Sequence, residues 1–183
     1  MNPGWQISKS NFTEDDGSLP SVDFSDLTAD ELRSIVNYFF SSGVIETPNA
    51  TIYDNVSERD LSLTEVADPV GLVISGRVST FHCCFAGLRW NNIELPTLGL
   101  FVFPDGVDID YRMGSEWSPD CVDAFFRLIS HFISLAPYAV VASGDIPPLP
   151  YPEHFEEALD LYAPNRRRMQ NKPAHPTAGN VPI

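Results

Sequence analysis

Basic residues are scarce in this sequence. Of 183 residues only 11 are Lys or Arg, against 25 Asp and Glu, and the formal net charge is −14. Nucleic-acid binding needs a cationic footprint that neutralises phosphates, and the chain lacks one. An anionic membrane surface is an unsuitable partner on the same ground. Cysteine is also scarce. Cys83, Cys84 and Cys121 are odd in number and do not read as a disulfide framework, so free thiols in a reducing cytoplasm are expected. No apolar run reaches the ~18 residues of a membrane-spanning helix. The opening Met1-Asn2-Pro3-Gly4-Trp5-Gln6 lacks the basic region and apolar core of a signal peptide.

Motifs for chemistry are missing as well. There is no Gly-x-Ser-x-Gly elbow and no Gly-rich loop that opens a helix around a phosphate. There is neither a Cys-x-x-Cys nor a His-x-x-x-His pair, so the run His82-Cys83-Cys84 reads as a buried strand with small apolar thiols rather than a zinc site. No cofactor and no metal are expected. Pro104-Asp105 followed by Asp110-Tyr111-Arg112 superficially matches a metal-dependent nuclease core, but the turn accounts for Asp105 and the acidic charge disfavours nucleic acid. His154 and His175 lie beside prolines without an evident partner.

Apolar residues make up 43% of the chain, enough for a folded core. Thr28 and Glu31 have the spacing of a capping box, and Leu32, Ile35, Val36, Phe39 and Phe40 form a helical stripe that Gly43 is expected to end at positive φ. Ser118, Pro119 and Asp120 open a second helix whose stripe is Val122, Phe125, Phe126, Ile129, Phe132 and Ile133, with Pro137 as the stop. A third helix is expected over 153–162. Strands are expected at 51–56, 70–75, 77–85, 98–103, 107–112 and, shorter, at 138–142, with Ser75-Gly76 as a turn. Pro104-Asp105-Gly106 is a turn with Gly at positive φ. After it Val107, Ile109 and Tyr111 alternate with Asp108, Asp110 and Arg112, the pattern of a half-buried strand.

These elements predict an α+β fold, a mostly antiparallel sheet of about five strands with two long helices on one face. Residues 1–22 read as a polar lead-in with a short strand at Trp5–Ile7. Residues 23–163 read as one α+β domain, and 164–183 as a basic, Pro-rich tail, extended or disordered. The tail holds four basic residues and no acid. The rest carries seven basic and twenty-five acidic residues, a net −18.

Asp108 and Asp110 share one face of their strand, with Arg112 next on it. Paired carboxylates can serve acid–base chemistry, a solvated strand face, or recognition of a basic partner. Trp90 and Trp117 flank the hairpin, where each either closes an edge of the core or belongs to a contact patch. An aromatic anchor ringed by Glu94, Asp108, Asp110 and Glu116 has the composition of a hot spot for a cationic protein.

The run from Leu95 to Phe126, which includes Leu98-Gly99-Leu100-Phe101-Val102-Phe103, then Asp110-Tyr111-Arg112-Met113-Gly114 and Trp117, gives a hairpin, a short polar link with Trp, and an amphipathic helix. This layout, about a sixth of the chain, resembles immunity proteins of bacterial polymorphic-toxin systems. The resemblance implies a small cytoplasmic α/β protein that binds and blocks one cognate toxin. Such families share no single fold, so it transfers no binding residues. The leading expectation is a non-enzymatic inhibitor of a basic toxin or effector, contacting it through Trp90, Glu94, Asp108, Asp110, Arg112, Glu116 and Trp117. Two alternatives stay open: an enzyme using Asp108, Asp110 or His82, and an adaptor subunit of a larger bacterial assembly.

Overall fold

The computed structural model describes residues 2–145 and 147–166. Most of the expected tail, 167–183, lies outside the described residues. In chain order the elements are α1 (Pro3–Ser8), α2 (Ser10–Thr13), β1 (Ser21–Ser25), α3 (Ala29–Ser42), β2 (Val44–Ile45), β3 (Thr51–Asp54), β4 (Arg59–Ser62), a 3₁₀ turn (Leu63–Glu65), α4 (Pro69–Ile74), β5 (Phe81–Ala86), β6 (Arg89–Trp90), β7 (Ile93–Glu94), β8 (Leu98–Phe103), β9 (Gly106–Tyr111), α5 (Pro119–Leu135), β10 (Val140–Ser143) and α6 (Pro152–Tyr162). The architecture is α+β. Six strands form one antiparallel sheet in the order β10-β1-β9-β8-β5-β2, and three helices are long: α3, α5 and α6. No helix among the described residues is long and apolar enough to cross a membrane.

One sheet face is dry. Phe24, Val107, Val102 and Phe81 lie in register across four strands, as do Val22, Ile109, Leu100 and Cys83, and all are buried. The helices cover this face. Phe132 of α5 meets Phe24 edge-on at 6.3 Å, Phe39 of α3 meets Phe85 at 5.4 Å, and Phe125 of α5 meets Tyr111 at 5.4 Å. Each fully buried large apolar side chain stabilises the fold by roughly 1.5–3 kcal/mol before entropy is subtracted.

The capping box at Thr28 and Glu31 forms as expected, and so does the Ser118 cap of α5. Several expectations need correction. Trp5–Ile7 is helical. Asn2 caps α1 by accepting from the Trp5 N–H at 3.2 Å, and Pro3 fills the first turn, where its missing donor does no harm. Residues 1–22 are not a lead-in either. Phe12 of α2 is fully buried, its ring 4.8–5.8 Å from those of Trp117, Tyr111, Phe125 and Phe126, and β1 begins at Ser21. The segment 70–75 is α4, not a strand: Asp68 accepts from the Gly71 N–H at 2.9 Å and Pro69 opens the turn. A short apolar run such as Val70-Gly71-Leu72-Val73-Ile74 fits either period, and the cap decides it. Neither Gly43 nor Gly106 has positive φ. Gly106 is required because a Cβ would collide with the Phe24 carbonyl oxygen of the neighbouring strand.

Two polar clusters hold the periphery. Asp54 is fully buried and accepts from Arg77 Nη2 at 2.8 Å, Val56 N–H at 3.0 Å and the Ser57 hydroxyl at 2.8 Å. The Arg77 guanidinium holds its carboxyl well below the usual range. At the sheet edge, Arg166 is buried and donates to the Val141 carbonyl at 2.9 Å, to Asp160 at 2.8 Å and to Glu156, which itself accepts from the Ser143 N–H at 2.9 Å. This arrangement covers outward-facing backbone groups of β10 that a foreign strand would otherwise pair with. Arg166, expected in the tail, is thus part of the domain.

Replacing Arg166 with Met should destabilise the protein by about 2–3 kcal/mol in urea unfolding, because two carboxylates and a strand carbonyl lose their donor. For Asp54 the folded-state affinity for protons is depressed. Its contribution is therefore complete above pH 3.8 and fades as the pH falls further. Asp54→Asn should remove that part of the acid-side loss of stability, read as unfolding midpoint against pH.

Candidate functional site

Burying one face of a pleated sheet sends every second residue to the other face. Among the described residues that other face is left uncovered: in register across it run Ala142, Asp23, Asp108, Phe101 and His82, all exposed or half-buried, and beside them Ser21, Asp110, Gly99 and Cys84. The sheet therefore gathers Asp23 of β1, Asp108 and Asp110 of β9, and His82 of β5 on one surface. His82 Nε2 lies 2.7 Å from Asp110 Oδ2, and Ser21 Oγ donates to Asp23 Oδ1 at 2.6 Å. Two glycines make room for these side chains. A Cβ on Gly99 would collide with the Asp110 carboxylate, and one on Gly144 with the Ser21 hydroxyl. Asp110 lies across β8 only because its register partner has no side chain.

The carboxylates differ in environment. Burial, then repulsion from Asp23 and Asp110, pushes the Asp108 carboxyl up to about 6, and when protonated it donates to Asp23. Asp23 is raised by burial and by Asp145, against the lowering effect of its Ser21 bond. The surface has an aromatic side too. The His82 ring lies 4.7 Å from that of Phe101 with the planes tilted by 30°, and Phe101 stacks on Phe103 at 5.6 Å with planes 16° apart. Phe101 is 38% exposed, which is unusual for the middle of an apolar strand.

The two thiols of β5 are not activated. Burial pushes Cys83 up to about 12, and burial with the Asp110 charge raises Cys84. No group of three or more His, Cys, Asp or Glu converges to hold a metal among the described residues.

The expected contact residues fall into separate places. Asp108 and Asp110 lie on the uncovered face. Glu94, Arg112 and Glu116 line a cavity of about 460 Å³ with Glu46 and Thr97. Trp90 lies elsewhere, its ring 5.2 Å from His131, in a groove of about 590 Å³ lined also by Arg127 and Tyr162. Trp117 is a correction. It is 2% exposed, donates from Nε1 to the Arg112 carbonyl at 2.8 Å and packs between Phe12 and Phe125, so its ring belongs to the core. Its position before the helix matched an edge anchor, but the helical N-terminal segment covers it. Ser21, Asp23, Phe101 and Phe103 were missed. Asp23 opened the expected domain without an assigned strand, and Leu98–Phe103 is apolar throughout and so reads as buried on both faces.

His82, Asp108 and Asp110, named for an enzymatic alternative, do come together, but the two cavities described above are lined by other side chains. Chemically the face offers carboxylate acceptors beside aromatic rings, a surface for cations. Asp108→Asn should raise stability by about 1–2 kcal/mol at pH 8, discounted for solvent screening. The sign follows from a carboxyl raised to about 6 over 3.8: its penalty is absent below pH 3.8 and complete above pH 6. The gain should therefore vanish at pH 3.5, measured by thermal unfolding at both pH values.

No family model, no curated protein and no solved structure matches this chain.

Proposed function

We propose that this protein binds a cationic protein partner on the uncovered face of its sheet, and that it serves as the inhibitor of a basic bacterial toxin or effector by covering that partner's active site. One observation carries the reading. Among the described residues, Asp23 and Asp108 form a half-buried carboxyl pair without a cation of their own. Among the described residues, the ion pairs of Arg33, Arg77, Arg89, Arg112, Arg127 and Arg166 all go to other carboxylates, and His82 goes to Asp110. A positive group from a partner supplies the missing charge and stabilises the ionised form of Asp108. The net charge of −14 adds long-range attraction that speeds encounter with a basic surface. A nuclease or other cationic hydrolase is the natural target, since its own substrate site is basic.

The reading of Asp108, Asp110 and His82 as an acid–base centre is favoured by the 2.7 Å His82–Asp110 contact. It predicts turnover that Asp110→Asn abolishes without loss of stability.

For the inhibitor reading, the partner is captured from the native host and its toxicity scored with and without co-expression of this chain. Changing Asp23, Asp108 and Asp110 together to Asn should slow association about tenfold or more and remove most of its salt dependence, measured by stopped flow. An association rate indifferent to ionic strength, or full protection by the triple variant, contradicts the proposal.

A further inference from the structure

We infer that the partner reaches this face with arginine rather than lysine, a guanidinium lying on Phe101 with its nitrogens on Asp108. The inference rests on the docking role proposed above and specifies its chemistry. It starts from register: Phe101 and Asp108 are direct cross-strand partners on the same face, so an aromatic ring and a carboxylate stand side by side. Phe103 stacks against Phe101 and extends the aromatic surface along β8.

The molecule already contains one example of the arrangement. His82, a planar nitrogen-bearing ring, lies 4.7 Å from Phe101 with the two planes tilted by 30°, while its Nε2 meets Asp110 Oδ2 at 2.7 Å. One planar group thus meets the aromatic ring and a carboxylate together. Asp108, across from the same Phe101, has carboxylates around it: Asp23 from β1 and Asp110 from its own strand, with Asp145 acting on Asp23. A guanidinium is planar, weakly hydrated, stacks on aromatic faces and presents paired donors that match a carboxylate. A lysine ammonium is compact and strongly hydrated. It meets the carboxylate but makes no flat contact with Phe101. The site therefore discriminates between two side chains of equal charge, which a purely acidic surface does not.

The test uses the full chain and two short fluorescein-labelled peptides, one of alternating Gly and Arg and one of alternating Gly and Lys, in anisotropy titrations at low ionic strength. The Arg peptide should bind about fivefold more tightly. That preference should disappear in Phe101→Leu, and in Phe103→Leu it should weaken, which keeps the test decisive if the first variant fails to fold. Asp108→Asn should weaken the Arg peptide, whereas Glu153→Gln, away from the face, should leave it unchanged. Equal, salt-sensitive affinity for both peptides overturns the arginine inference and leaves the acidic docking face intact. Arginine preference that survives Phe101→Leu overturns it too. Binding of neither peptide overturns both the inference and the docking role.

Discussion

Burying Val22, Phe24, Val107, Ile109 and Tyr111 beneath the helices forces Asp23, Asp108 and Asp110 onto the opposite face, because successive strand residues point opposite ways. Everything proposed for this protein follows from that alternation. Register then decides which residues meet. β1 and β9 pair so that Asp23 stands across from Asp108, and β9 and β8 pair so that Asp108 stands across from Phe101. A slip of one residue in either pair would move the carboxylates into the core and the apolar side chains into water, so the dry face locks the wet one.

The carboxyl pair is a local conflict within an otherwise satisfied structure. Elsewhere several carboxylates packed against the fold are met by an arginine: Asp54 by Arg77, Glu156 and Asp160 by Arg166, Asp123 by Arg127. On the uncovered face like charges directly opposite each other work against folding, and burial makes Asp108 hard to ionise. Such conflicts are expected where a partner supplies what the fold lacks. The neighbouring Phe101 and Phe103 turn a repulsive patch into a surface with both charge and shape.

Much of the fold was legible because its strongest signals are local. The capping box at Thr28, the Ser118-Pro119 start of α5 and the Pro104-Asp105 turn each depend on a few adjacent residues, and each forms. The lost elements are short. The turn at Phe12 and helix α4 carry too few residues for a period to show, and β1 has only Val22 and Phe24 to announce it. The site was half legible for a related reason. Asp108 and Asp110 advertised themselves by alternation within one strand. Asp23, Phe101 and His82 join them only through pairing across strands, and no spacing along the chain encodes that pairing. Trp117 misled because a tryptophan before a helix suits an anchor as well as a core, and Phe12 decides in favour of the core.

The most direct measurement is a carbon-detected NMR titration of the Asp23 and Asp108 carboxyl groups in the free protein. The account predicts a coupled pair with its upper step near 6, moving downward when a cationic ligand is added. Both groups titrating near 3.8, unmoved by any cationic ligand, would contradict it.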